Sequence, residues 1–194
     1  LKGSLLNLSY GNGKVFVVPH EHVRSVTQGG MIELPLPPFP TGVMRGRFHP
    51  TDGQLYLCGM FAWAGSATYP GGLYRLRATG RPMQLPIALR ARKSSLQLTF
   101  TAPLDPSSID VKKIELKTWS LKRTANYGSK HYDEKSLDVH AAALSEDGKT
   151  LTLNVAELRP TWCMEIRYAL RATGGDPVVG VIHNTIHELG GDPQ

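Results

Sequence analysis

"GNGKVFVVP" (residues 11–19) and "TDGQLYLCG" (residues 51–59) are two versions of one pattern. Each holds a turn dipeptide (Asn12-Gly13, Asp52-Gly53), a long polar side chain, and a run of β-branched, aromatic and aliphatic residues. Asn-Gly and Asp-Gly ahead of such a run signal a turn feeding a strand. The pattern extends outward from both stretches. Strand-like "SLLNLSY" (4–10) and "VMRGRF" (43–48) precede the turns, and Gly-Gly pairs open "GGMIELP" (29–35) and "GGLYRLR" (71–77) after them. Turn, strand, long loop, Gly-Gly and strand thus occur twice, roughly 40 residues apart, the period of a β-propeller blade. Two blades cannot close a ring, so residues 1–90 are expected to be the last blades of a longer propeller whose earlier blades lie upstream. The competing reading is a small β-domain with accidental internal similarity.

Beyond Leu89 the pattern changes. "LQLTF" (96–100) alternates with Leu96, Leu98 and Phe100 on one face, and "APLDPSS" (102–108) is a turn cluster. "VKKIELKTW" (111–119) reads as a strand, and "SEDGKTLTLNV" (145–155) brings a third Gly-containing turn into a strand. "TWCMEIRYALRA" (161–172) is the clearest strand, with Trp162, Met164, Ile166, Tyr168 and Leu170 expected on one face. "VVGVIHNTIHEL" (178–189) closes the chain's strand-like runs. With no convincing helix, residues 91–194 are expected to form an immunoglobulin-like β-sandwich. The expected fold class is therefore all-β, a partial β-propeller of about two blades followed by that sandwich.

Composition narrows the partners. The 22 Lys+Arg against 16 Asp+Glu give a formal charge of +6. The basic residues are scattered, without a block or an aromatic interleave suited to nucleic acid, so no nucleic-acid partner is expected. No run approaches the ~20 apolar residues of a membrane helix, so no membrane span is expected. A chain opening on Leu1 reads as a processed product or an excised piece. Cys58 and Cys163 lie in apolar runs and read as small buried hydrophobes rather than a bridge.

"LQLTFTAPLDPSSIDVKKIELKTW", "LSEDGKTLTLNVAELRP" and "MEIRY" resemble the bacterial immunoglobulin-like domains appended to secreted and surface proteins. "RGRFHPTDGQLYL" (45–57) resembles a segment of the soluble pyrroloquinoline-quinone (PQQ) sugar dehydrogenase propellers, including the sorbosone dehydrogenase-like ones. The whole chain, with "WSLKRTANYGSK" (119–130), is similar to the C-terminal end of very large secreted bacterial proteins carrying such a propeller. The resemblance implies a secreted or periplasmic location and the remainder of a larger propeller chain as partner. It also implies PQQ and calcium in the full-length parent, with Arg45 and Arg47 meeting the quinone's carboxylates. Guanidinium suits that role because it pairs bidentately with carboxylate. His20 stands where the family has a lysine. The family's catalytic histidine and calcium ligands would lie in blades outside this chain, so the fragment is expected to be non-catalytic. The alternative is a part of an active quinone-dependent sugar or alcohol oxidoreductase.

Other residues stand out on their own chemistry. His20 and His22 alternate along an extended segment, so they can hold one metal or decorate a polar loop. His183 and His187 lack the H-E-x-x-H order of a zinc protease and read as surface decoration. The long segment 120–136 carries Arg123, Tyr127 and Tyr132 after Trp119, a set suited to a partner or a carbohydrate. Trp63 and Tyr69 stand in the second repeat's long loop, where they can line a ligand mouth. No nucleophile elbow or paired carboxylates stand out.

Overall fold

The computed structural model describes residues 3–62 and 67–191. The chain is all-β. Among the described residues fifteen strands run in order: β1 (Leu5–Ser9), β2 (Lys14–Val18), β3 (His20–Val23), β4 (Val26–Glu33), β5 (Gly42–Phe48), β6 (Leu55–Met60), β7 (Gly71–Leu76) and β8 (Pro86–Ala91). They continue as β9 (Ser95–Phe100), β10 (Ile114–Ser120), β11 (Tyr132–Leu137), β12 (Ala141–Leu144), β13 (Thr150–Asn154), β14 (Thr161–Arg171) and β15 (Pro177–Ile186). They pair into three antiparallel sheets, none of them closed. The only helical turns among the described residues are two short 3-10 segments, Pro106–Ser108 and Val111–Lys113. No helix there is long and apolar enough to cross a membrane.

Two compact units form. The first holds Leu1–Ser4, Val18–Ile32 and Met83–Gln194; the second holds Leu5–Val17 and Glu33–Pro82. Residues 18–32 thus pack with residues 83–191 in the first unit. The cause is a long-range ladder, with Ile32 opposite Ile182 and Gly30 opposite Asn184 where β4 meets β15. The Gly29-Gly30 pair permits it, because a Cβ on Gly30 would come within 2.8 Å of both the His183 carbonyl oxygen and the Asn184 Cβ.

In the first unit, β3 pairs with β4, β4 with β15, β15 with β14, β14 with β10 and β10 with β11. A second layer runs β12–β13–β9–β8. The buried faces follow period-two alternation: Leu96, Leu98 and Phe100 from β9, Leu151 and Leu153 from β13, and Met164, Ile166, Tyr168 and Leu170 from β14. Phe100 meets Tyr168 edge-to-face with ring centroids 5.7 Å apart, and burial pushes the Tyr168 hydroxyl's pKa up. The unit is sandwich-like in this sense. Residues 111–113, expected to be strand, instead form a turn that the Asp110 carboxylate caps by accepting from Lys112 N–H.

One charged cluster is built into this unit. Glu21 is almost fully buried; its carboxylate accepts from Arg92 Nη1 at 2.8 Å, Ala91 N–H at 2.8 Å and Gln28 Nε2 at 3.0 Å. Gln28 in turn accepts from the N–H groups of His187 and Glu188 and donates to the Glu188 carbonyl. A buried charge satisfied on every side ties β3 and β4 to the chain at the end of β8 and after β15.

In the second unit, β1 pairs with β2, and β5–β6–β7 form a three-stranded meander. The turn-and-strand part of the repeat read from the sequence is visible here, while its first Gly-Gly strand belongs to the other unit. Gly13 and Gly53 both take positive φ (59° and 65°), and Val15, Val17, Leu55 and Leu57 are the buried positions after them. The chain after β4 runs beside β2, with Leu34 N–H donating to Val15 O and Lys14 Nζ 2.7 Å from Glu33. Leu8 of β1 packs over Gly46 of β5, so the two repeats touch through these strands.

Candidate ligand-binding site

Two surfaces collect the residues with binding chemistry, one in each unit.

The first lies on the first unit's sheet, at the hairpin connecting β10 to β11. The loop between them is held by its own hydrogen bonds: Lys122 N–H donates to Ser129 Oγ at 3.0 Å, and Asn126 N–H donates to Thr124 Oγ1 at 3.3 Å. Gly128 supplies a left-handed turn with φ of 83°. At its base the Trp119 ring stacks on His131, with centroids 4.2 Å apart and planes 15° apart. His131 Nδ1 and Lys117 Nζ both lie 3.0 Å from the Glu134 carboxylate, and these two contacts, the His131 bond first, hold its pKa below the usual range. Lys122 Nζ sits 4.3 Å from the centre of the Tyr132 ring, a cation–π contact. His183 meets Trp119 edge-on, with ring centroids 6.4 Å apart, and lies 3.8 Å from Glu165.

A groove of about 980 Å³ opens between residues 119–129 of this loop and residues 160–162. Trp162 forms its far wall and is 73% exposed, contrary to the expectation that it shares the buried face of β14. The reason is a register shift against β15 between Thr161 and Met164. The extra residue breaks the alternation, so Met164 stays inside while Trp162 turns outward. Its ring meets His187 edge-to-face at 5.3 Å, and its carbonyl accepts from Thr185 Oγ1 at 2.8 Å. The sequence-predicted Trp119, Arg123 and Tyr127 all line this groove, and Tyr132 lies behind it under Lys122. Trp162 is the residue that sequence reasoning assigned to the core. A bulge leaves no mark in a single alternating run, which is why the strand pattern concealed it.

The second surface is one face of β5–β6–β7. Arg45, Cys58 and Leu73 stand in one cross-strand row, and Arg47, Tyr56 and Arg75 in the next. Arg45 and Arg47 are exposed and donate only to the backbone carbonyls of Met44 and Gly46 among the described residues. Leu73 is 76% exposed. Cys58, expected to be buried, is exposed on this face, whereas Cys163 is half-buried and burial pushes its thiol pKa up. Both thiols are free. Tyr69 is exposed, with its N–H donating to Pro40 O. Trp63 lies outside the described residues.

His20 belongs to neither surface. Its Nδ1 bonds the Val18 carbonyl at 3.1 Å, while His22 Nδ1 bonds Thr27 Oγ1 at 2.8 Å. The two rings meet edge-on, and among the described residues no three metal-binding side chains gather anywhere. No protein family, curated protein or solved structure matches the chain.

Proposed function

We propose that this chain is a non-catalytic binding module whose sandwich-like unit recognises carbohydrate through the groove between residues 119–129 and 160–162. The observation that carries the reading is Trp162. A bulge turns a large indole out of the core and into the wall of a groove that also holds Tyr127. Holding an apolar ring of that size in water costs the unit hydrophobic stabilisation, a cost that binding would offset. The flat apolar faces of sugar rings pack on such aromatics, and Ser120, Thr124, Asn126 and Ser129 supply hydroxyl and amide partners for sugar hydroxyls. A glycan array tests this: the intact chain binds a subset of glycans, and Trp162→Ala and Tyr127→Ala each abolish the signal while circular dichroism stays unchanged. No binding by the intact chain would reject it.

A second reading is supported by the other surface. Here the second unit is a pair of blades from a larger secreted, bacterial, quinoprotein-like propeller, with the first unit as its immunoglobulin-like attachment. The equivalent burial of the two repeats and the exposed Leu73, Met44 and Met60 on β5–β7 support it, since a blade's faces are covered by its neighbours. Arg45 and Arg47 would then face a carboxylate-bearing cofactor such as PQQ, with calcium held elsewhere in the parent. Titrating PQQ into the parent protein and its Arg47→Ala variant tests the assignment. Equal uptake by the two would exclude it.

A further inference from the structure

We infer that the groove selects acidic polysaccharides, chains of sugars bearing carboxylate groups, over neutral ones. This rests on the carbohydrate reading above and goes beyond it by naming the ligand's charge.

The inference starts from a local imbalance. Between Trp119 and His131 the chain carries Lys122, Arg123 and Lys130 and not one carboxylate. Of the groove-lining residues two are cations and none is an anion. Two nearby carboxylates are already taken: Glu134 by Lys117 and His131, and Glu157 by Lys135. Arg123 is exposed and, among the described residues, has no acidic partner. Lys122 is held over Tyr132, which fixes the direction of its ammonium while leaving that group able to donate hydrogen bonds. An unpaired guanidinium beside a fixed ammonium suits a carboxylate, which can accept two parallel bonds from the former and one from the latter.

The rest of the lining argues for a sugar rather than a nucleic acid. A nucleic acid presents a phosphate at every residue and needs cations along its whole track. Here the two cations are adjacent in sequence, and the opposite wall is Pro160, Thr161 and Trp162, without charge. Moreover, Trp119 is covered on one face by His131, so that face offers no base a stacking platform. One carboxylate at Lys122–Arg123, with uncharged sugar rings passing toward Trp162, matches this division.

The test is affinity electrophoresis of the intact chain in gels containing a polyuronate, a neutral glucan or a single-stranded oligonucleotide. Retardation by the polyuronate is expected to exceed that by the glucan about tenfold in apparent affinity. It should fall several-fold between about 0.05 M and 0.5 M salt. The double variant K122Q/R123Q should lose this preference. Both side chains are exposed, so the fold should survive, and unchanged thermal unfolding of the variant confirms that. Equal retardation by polyuronate and glucan, unaffected by the double variant, would overturn the charge selection while leaving the carbohydrate reading intact. No retardation by either polymer would overturn both, and stronger retardation by the oligonucleotide would replace the ligand class.

Discussion

Glu21→Ala should be the most damaging single truncation of a charged residue in this chain. The wild-type carboxylate is almost wholly enclosed, with Arg92 Nη1 at 2.8 Å, Ala91 N–H at 2.8 Å and Gln28 Nε2 at 3.0 Å. Truncation strands the Arg92 guanidinium, whose side chain is only 15% exposed, and orphans two N–H donors. Removing one partner of a buried ion pair costs about 3–5 kcal/mol, because the other charge stays desolvated. Each buried donor left unmatched costs about 1–3 kcal/mol, though these terms overlap. Arg92 Nη1 keeps the Ala91 carbonyl at 3.1 Å, which softens the loss. A total of about 3–4 kcal/mol follows, equal to a midpoint drop of roughly 6–16 °C for a chain of this size. Unfolding followed by tryptophan fluorescence in a Trp63→Phe background would read it, since Trp119 and Trp162 both belong to the first unit. Replacing both charges together, Glu21→Leu with Arg92→Met, should recover a large part of the loss, because no lone buried charge remains. A loss below about 1 kcal/mol for Glu21→Ala, with zero coupling in the Glu21/Arg92 double-mutant cycle, would refute the reasoning.

Three further outcomes are expected. Cys58 should react with a maleimide well before Cys163 at neutral pH, since it is exposed and the Cys163 thiol is pushed up by burial; mass spectrometry after brief labelling reads the order. Gly59→Ala should destabilise the second unit by about 1–3 kcal/mol or more in chemical denaturation, because the new Cβ would come within 1.7 Å of the Gly42 carbonyl oxygen. Asp105, whose carboxylate accepts from the Ser107 hydroxyl and N–H, titrates below its usual range. Its contribution to stability is present above its unfolded pKa and disappears as the pH falls through the lower folded value. Asp105→Asn should therefore flatten the acid limb of a melting-temperature profile and leave the wild-type profile steeper below about pH 4.

Much of the strand layout was legible because it is local. Gly13 and Gly53 announce their turns, and the alternation of Leu96, Leu98 and Phe100 matches their burial. The Gly-Gly pairs at 29–30 and 71–72 announced strands, but not their partners. Nothing near Gly30 says that Asn184, more than 150 positions away, will lie opposite it. The packing of residues 18–32 with the later part of the chain rests on that pairing, which no local signal announces. Glu21 was hidden for a related reason: its partner Arg92 lies about 70 positions away, in another strand's exit. At the groove, Trp119, Arg123 and Tyr127 were legible as a polar loop with aromatics. Trp162 was not, because period-two reading assigns it to the same face as Met164 and cannot foresee an inserted residue.

The central claim is that the groove between the β10–β11 loop and residues 160–162 is where a glycan sits. Titrating the isotope-labelled chain with a short oligouronate and following backbone amide resonances tests it directly. The account predicts that the largest shifts fall within residues 119–129 and 160–162, with Trp162 and Arg123 among them. Shifts concentrated instead on Arg45, Arg47 and their β5–β7 neighbours, or no shifts at saturating ligand, would contradict it.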